Sequence, residues 1–106
     1  MIHSTAIIHP KAQIGSGCEI GEYCVIGEHV TLGDNCKLHP HVVVDGHTAL
    51  GRENEIFPFA SIGLKTQDLK WKGGVTHVRI GDKNVFREGV TVHSATSDGQ
   101  DRKSVV

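Results

Sequence analysis

Aliphatic residues recur at every sixth position through the first part of the chain. In steps of six, every position is isoleucine, leucine or valine: Ile2, Ile8, Ile14, Ile20, Ile26, Leu32, Leu38, Val44, Leu50, Ile56 and Ile62. A period of six fits neither one face of an α-helix nor the alternation of a half-buried strand. The pattern therefore predicts an internal repeat, which is typical of folds built by stacking one small unit on the next.

Two other positions of the hexad follow the same period. The residue after the aliphatic one is often glycine, where the chain must turn and a side chain would obstruct it: Gly15, Gly21, Gly27, Gly33, Gly51 and Gly63. The residue four after the aliphatic one is usually small: Ala6, Ala12, Cys18, Cys24, Val30, Cys36, Val42, Thr48 and Ala60. One aliphatic and one small inward residue per hexad suit a narrow prism filled by its own side chains.

Three hexads are expected to form one triangular coil with a short strand on each face. Successive coils would stack at the spacing of neighbouring strands, about 4.8 Å. The predicted columns are Ile2, Ile20, Leu38 and Ile56; then Ile8, Ile26, Val44 and Ile62; then Ile14, Leu32 and Leu50. The sequence thus predicts an all-β fold, a parallel β-helix in the shape of a triangular prism.

The repeat is interrupted once. It stops after Ile62 and resumes at Ile80, and in the gap the hexad register would put Asp68 and Gly74 in the core. A buried apolar column should not accept such residues. We therefore predict one protruding loop near residues 64–74, which contains the only tryptophan of the chain and three lysines. Loops on rigid scaffolds commonly carry function.

Composition and charge narrow the classes of function. The net charge of −1 argues against strong nonspecific binding of nucleic acid. No stretch reaches the length of a membrane span and the N-terminus lacks the pattern of a signal peptide, so the expected compartment is the cytoplasm. Residues 65–106 carry eight basic against five acidic side chains, which fits either a solvated surface or a basic rim for an anionic substrate or partner.

The three cysteines all occupy the small inward column. Their spacing does not match a structural zinc site. We expect Cys18, Cys24 and Cys36 to be small, buried, reduced side chains.

Motifs on both sides of the gap resemble a known family. They are His41–Thr48, Gly51–Ile56 and Phe59–Gly63, then Gln67–Trp71, Ile80–Asp82, Asn84, Arg87–Glu88 and Val90–His93. In this order and spacing, about residues 2–97 resemble the N-terminal part of the bacterial acyl-[acyl-carrier-protein]–UDP-N-acetylglucosamine O-acyltransferases of lipid A biosynthesis. The resemblance implies that the β-helix is left-handed.

The resemblance also implies an activity. These enzymes move a 3-hydroxyacyl chain from an acyl carrier protein thioester to the 3-hydroxyl of UDP-N-acetylglucosamine, without a cofactor or a metal, as homotrimers. A sugar hydroxyl is a poor nucleophile at neutral pH, so a positioned base must take its proton during the attack. In the family that base is a histidine in a cleft between subunits, and its counterpart is expected downstream of residue 106.

Four residues match substrate-binding positions of the family. Asp68 matches a loop aspartate that would accept hydrogen bonds from sugar hydroxyls, and Lys70 a lysine that would pair with phosphate or with polar groups of the acyl chain. Gln67 would assist them. His93 follows the core residue Val92, so it should point outward, where it would bind substrate. The other histidines are expected to be structural or exposed: His3, His9, His29, His39, His41, His47 and His77.

The chain departs from the family in two ways. Ser94–Thr96 stands where many members carry Arg-Gly-Thr, and members continue through further coils and a C-terminal helical domain. We expect residues 1–97 to form an incomplete set of β-helix coils and residues 98–106, which lack the hexad register, to form an irregular tail. On this basis the chain is expected to be a truncated fragment, inactive by itself.

Three alternatives remain. In the first, the chain is a different hexapeptide-repeat acyltransferase. In the second, it is a non-catalytic β-helix that serves as a scaffold. The least favoured alternative is a γ-type carbonic anhydrase, in which histidines such as His39, His41 and His47 would hold zinc. Zinc requires three converging ligands and one open position.

Overall fold

The computed structural model describes residues 1–64 and 77–93, and for His93 the backbone alone. Within these ranges the chain consists of short strands joined by tight turns. The strands are β1 (Ile7–Ile8), β2 (Gln13–Ile14), β3 (Glu19–Ile20), β4 (Val25–Ile26), β5 (Val30–Leu32), β6 (Lys37–Leu38), β7 (Val43–Val44), β8 (His47–Leu50), β9 (Glu55–Ile56), β10 (Ser61–Leu64), β11 (His77–Ile80), β12 (Val85–Phe86) and β13 (Thr91–His93).

Each strand pairs in parallel with the strand three places along the chain. The first sheet contains β1, β4, β7, β10 and β13, the second contains β2, β5, β8 and β11, and the third contains β3, β6, β9 and β12. Every third strand therefore returns to the same face, and the three sheets are the three faces of a prism. This is the architecture that the six-residue period predicts.

The predicted aliphatic columns are confirmed by the strand register. In the third sheet Ile20 pairs with Leu38 and Leu38 with Ile56, and Ile2 joins the column through a parallel bridge to Ile20. The other predicted columns are equally in register, Ile8 to Ile62 in the first sheet and Ile14 to Leu50 in the second. From Ile20 onward these side chains are buried, so the columns form the core.

The interruption of the repeat adds residues to one coil without disturbing the register. Leu50 pairs with Ile80 and Ile56 with Phe86. Partners that are otherwise eighteen positions apart are here thirty apart, so the insertion equals two hexads. We predicted a loop that starts at residue 64, but Leu64 is the last residue of β10. The rest of the predicted loop, together with the predicted tail, lies outside the described residues.

The small inward column is not apolar throughout. Asn54 occupies this position and is 1% exposed, a polar core residue that the pattern of small residues did not predict. Its Nδ2 donates hydrogen bonds to the carbonyl oxygens of Gly51 (3.0 Å) and Gly81 (2.8 Å). Its Oδ1 accepts one from the backbone N–H of Asn84 at 2.8 Å. Asn54 therefore ties its own coil to the coil that follows the insertion.

The turns between faces need a left-handed backbone, but with the exception of Gly63 this does not occur at the predicted glycines. Positive φ angles occur three residues after the core aliphatic residue, mostly at non-glycine positions: Tyr23, Asn35, His41, Glu53, Phe59 and Lys83. Among the predicted glycines only Gly63 has a positive φ, of 85°. The others are required by the close approach of neighbouring coils, as at Gly33, where a Cβ would lie 2.6 Å from the carbonyl carbon of Gly51.

The cysteines are buried, as predicted. Each thiol donates to the carbonyl oxygen of a residue fifteen positions later: Cys18 to Gly33, Cys24 to His39 and Cys36 to Gly51, at 3.1–3.2 Å. Burial raises the pKa of the Cys24 and Cys36 thiols. Both therefore remain protonated at neutral pH and act as small core side chains.

Within the described ranges, the chain contains no helical stretch with the length and apolarity that crossing a bilayer would require.

Candidate functional site

The insertion falls at one corner of the prism, between the end of a strand of the first sheet and the start of a strand of the second. We call this the loop corner. β10 ends at Leu64, and β11 begins at His77. Both strands are held in the sheets, β10 between β7 and β13 and β11 beside β8. The segment between them, residues 65–76, is thus attached to a rigid support at both ends.

Three of the four predicted site residues lie on this segment. Gln67, Asp68 and Lys70 fall outside the described residues, so their positions stay predictions. What the structure describes is the rim from which they depart.

The fourth predicted residue, His93, has its backbone at the same corner. His93 ends β13 and pairs with Leu64, with a register shift between Ile62 and Leu64. The backbone of His93, a site residue predicted from sequence, therefore lies beside the start of the insertion. The side chain of His93 lies outside the described residues.

The backbone irregularity in this pairing falls at Gly63, which packs against Asp45 and Thr48. Gly63 has a φ of 85°, and a Cβ there would collide with the carbonyl oxygen of Asp45 and with Oγ1 of Thr48. Thr48 is 1% exposed and donates a 2.6 Å hydrogen bond from its hydroxyl to the carbonyl oxygen of Asp45. This arrangement fixes the backbone immediately before the insertion. Thr48 was assigned only to the small inward column, and its bonding to the corner was not predicted.

A stack of imidazole rings runs down the loop corner. We call His29, His47 and His77 the histidine column. The rings of His29 and His47 lie parallel, with centroids 4.1 Å apart and an interplanar angle of 9°. The ring of His77 meets that of His47 edge-on, at 5.2 Å and 61°. The column thus begins at the residue where the chain re-enters the prism.

An open polar groove lies beside this column. It has a volume of about 270 Å³ and is lined by Lys11, Gln13, Glu28, His29, Val30, Thr31 and His47. Glu28 is 3.5 Å from Nζ of Lys11 and 3.7 Å from Nε2 of His29. Its one carboxylate is therefore shared between two basic groups.

The histidines of the column were expected to be structural or exposed, and sequence reasoning did not connect them. The period that predicted the core also relates these three histidines to one another. His29 and His47 are eighteen residues apart, and His77 follows His47 after thirty, the spacing of the coil with the insertion. Lys11 occupies the equivalent position one coil before His29.

The three histidines named for the zinc alternative belong to three different surroundings. His39 stacks on Phe57 at 4.4 Å, and its Nε2 lies 2.8 Å from Oε2 of Glu55. His41 stacks between Tyr23 and Phe59 at 5.2 Å from each. His47 is in the histidine column. Within the described part of the chain these three rings do not converge on one point.

The described features define a class of protein: parallel β-helices of hexapeptide repeats, here with an insertion at one corner. The first residues match the corresponding family model, Bacterial transferase hexapeptide (six repeats), over residues 1–33. Solved structures with similar coils are left-handed β-helices, which confirms the expected hand.

The particular relatives are acyltransferases. The chain is 60% identical over 100 residues to the acyl-[acyl-carrier-protein]–UDP-N-acetylglucosamine O-acyltransferase of Psychromonas ingrahamii, covering 94% of this chain and 38% of that protein. It is 55% identical over 98 residues to the enzyme of the same name from Akkermansia muciniphila, covering 92% of this chain and 38% of that protein.

Solved structures of enzymes with this activity have the same fold as this chain. LpxA from Acinetobacter baumannii superposes with a TM-score of 0.93 at 50% identity, covering 98% of this chain and 40% of that one. The UDP-N-acetylglucosamine acyltransferase LpxA from Bacteroides fragilis gives 0.92 at 39% identity, covering 99% and 41%. The resemblance to the UDP-N-acetylglucosamine O-acyltransferases is therefore confirmed in sequence and in fold. The chain spans about 38% of the length of the curated relatives it matches.

Proposed function

We propose that this chain belongs to an enzyme that transfers a 3-hydroxyacyl group from acyl carrier protein to the 3-hydroxyl of UDP-N-acetylglucosamine, the first step of lipid A synthesis. The observation that carries the proposal is the identity of 55–60% with two enzymes of this name over nearly the whole chain. The activity is that of the whole protein, and the compartment is the cytoplasm.

Substrate binding is the part of the reaction that we assign to this chain. Asp68 accepts hydrogen bonds from sugar hydroxyls, and Lys70 pairs with phosphate or with polar groups of the acyl chain, assisted by Gln67. A carboxylate that accepts two hydroxyl hydrogen bonds fixes both the position and the orientation of the acceptor sugar. The base that takes the proton of the sugar hydroxyl is not assigned to a described residue.

The geometry of the loop corner supports this assignment. His93 pairs with Leu64 through the backbone, so a histidine that binds substrate would stand beside the start of the segment that carries Asp68. Convergence of polar residues from separate coils on one rigid corner is what a binding site for a polar ligand requires.

Binding of UDP-N-acetylglucosamine tests the proposal. We expect saturation-transfer NMR with the purified chain to detect the sugar nucleotide, and Asp68→Asn to weaken its binding about tenfold, because the amide loses charge-assisted hydrogen bonds. Asp101→Asn, the same change in the predicted tail, is the control and should bind like the native chain. Absence of saturation transfer would favour the scaffold alternative, and equal affinity of the Asp68→Asn variant would refute the role of that residue.

We also propose that the chain assembles with copies of itself into a homotrimer through the outer face of the first sheet. This face carries an apolar row in which Ile7 and Val25 are 66% and 37% exposed and Val43 is half-buried. Tyr23 and Phe59 adjoin it at the neighbouring corner and are 58% and 67% exposed. Aromatic and aliphatic side chains grouped on one face suit a contact between proteins.

A charge placed in this row should therefore weaken assembly. We expect Val25→Lys to shift the sedimenting mass of the chain from trimer towards monomer, because a buried ammonium group in the contact would lack a partner. Val85→Lys provides the matched control, since Val85 is a half-exposed valine on the outer face of the third sheet. The interface is assigned wrongly if both variants dissociate to the same extent.

A further inference from the structure

The histidine column places groups of the same potential charge directly above one another. The ring of His47 is stacked on that of His29 and makes a T-shaped contact with that of His77. These rings lie on three successive coils of the loop corner. A proton on any of them would lie within about one strand spacing of the next imidazole.

Among the described residues, the surroundings of the column provide little compensation for a positive charge. Glu28 is the carboxylate that faces it, and this group is already engaged by Lys11 and His29. Two more bases lie nearby, since Lys11 lines the same groove and Arg79 follows His77 on the same face of β11. Asp45, two residues before His47, points towards Gly27 in the preceding coil, where a Cβ would collide with its Oδ1.

The electrostatics of His47 agree with this geometry. Burial lowers the pKa of His47, and the neighbouring His29 and His77 lower it further, while Glu28 opposes them. The neutral ring is therefore the form that fits the column.

We propose that the protonation state of the histidine column controls the stability of the pairing between strands β11 and β8, so that acid weakens this pairing. With neutral rings the column stacks and supports the pairing of His77–Ile80 with His47–Leu50. When two neighbouring rings are protonated, their positive charges repel each other, and the pairing of β11 with β8 is weakened. The coil that begins at β11 then opens more readily than the coils before it.

The direction of the pH dependence follows from linkage. An unfolded histidine takes up its proton near pH 6.5, whereas folded His47 takes it up at lower pH. Below about pH 6.5 His47 therefore binds its proton more readily in the unfolded chain than in the folded one, and its contribution to stability falls as the pH falls. The loss is complete once the pH passes below the pKa of folded His47, and it is absent above the unfolded value.

Urea unfolding of the chain at pH 7.5 and pH 5.5, native and His47→Phe, tests this proposal. Phenylalanine keeps a planar ring between His29 and His77 but cannot be charged. In the native chain each pair of opposed like charges should raise the unfolding equilibrium constant about two- to fivefold at the lower pH. In His47→Phe both pairs are absent, and this part of the acid response should disappear.

His41→Phe is the matched control. It makes the same replacement in the stack of Tyr23, His41 and Phe59, where no second histidine follows, and it should keep the acid response of the native chain. An acid response of His47→Phe as large as that of the native chain would overturn the proposal.

NMR titration of the imidazole rings in the native chain provides a test that needs no variant. We expect the His47 ring to titrate below the ordinary histidine value of about 6.5, and the backbone amides of β11 to lose exchange protection over the same pH range. A His47 ring that titrates at or above the ordinary value would equally overturn the proposal. Neither experiment requires a substrate, so both are independent of the proposed acyltransferase activity.

Discussion

Replacing Gly33 by alanine is expected to destabilise the protein by about 3 kcal/mol, the upper end of the usual cost of overpacking. A Cβ at this position would lie 2.6 Å from the carbonyl carbon of Gly51, 2.7 Å from its oxygen and 2.9 Å from the backbone nitrogen of Arg52. All three are backbone atoms of the next coil, which cannot rotate away as a side chain could. The added methyl group must therefore separate two coils that are joined by hydrogen bonds along their length.

Gly81→Ala provides the matched comparison. Gly81 holds the same position of the hexad, but a Cβ there would meet none of the described atoms within 4 Å. Alanine should be tolerated or slightly stabilising, by about 0.5 kcal/mol, because it restricts the unfolded chain. Urea unfolding measures the free energy of unfolding of both variants. If Gly33→Ala and Gly81→Ala lose similar amounts of stability, the close approach of neighbouring coils is not the reason that glycine is required.

Removing the side chain of Asn54 is expected to cost about 3 kcal/mol. In Asn54→Ala the carbonyl oxygen of Gly81 and the N–H of Asn84 both lose the partner that Asn54 provides. An unsatisfied buried polar group costs about 1–3 kcal/mol, and the lost volume adds to that. We expect the coil after the insertion to be affected most, because these two partners belong to it. Thermal and urea unfolding give the total loss, and hydrogen exchange locates it.

Cys36→Ala is the control for Asn54→Ala. Cys36 fills the equivalent position one coil earlier, and its thiol donates to the carbonyl oxygen of Gly51 at 3.1 Å. Because a thiol is a weak donor, we expect a loss of only about 1 kcal/mol. Comparable losses for the two substitutions would mean that the amide network contributes no more than the packing of a small side chain.

The architecture could be predicted from sequence because each column of the prism constrains residue type at a fixed interval. Ile14, Leu32 and Leu50 stack as the period predicts, and the resumption at Ile80 is in register. The interval also reveals the insertion, since only an extra segment explains why the partner of Leu50 is thirty residues away.

Features that depend on hydrogen bonding rather than on hydrophobicity were not predictable in this way. Asn54 breaks the apolar rule of its column because backbone groups on two coils need its amide. The left-handed turn residues were missed because a positive φ is uncommon for residues other than glycine, above all for bulky ones such as Tyr23 and Phe59; His41 belongs to a type that tolerates it better. At these positions the rings stack on one another across coils, which helps to offset that cost.

The place of the insertion was predictable from sequence, whereas the roles of the site residues on it stay predictions. The aliphatic repeat stops after Ile62 and resumes at Ile80, and Asp68 does not suit the core position that the hexad register would give it. The pairing of His93 with Leu64 depends on a bulge at Gly63, and a bulge has no signature in a six-residue period. The members of the histidine column follow the same interval as the core, but an interval of hydrophobic residues does not mark a column of polar ones.

The orientation of the strands has a mechanical consequence. The chain runs around the prism while the hydrogen bonds between coils run along its axis, so a force that pulls the two ends apart along this axis would peel away one coil at a time. A coil of eighteen residues would release about 60 Å of chain. The coil between Leu50 and Ile80, thirty residues long, would release about 100 Å. The extension trace of a single stretched molecule would therefore show the insertion as one longer step among equal ones.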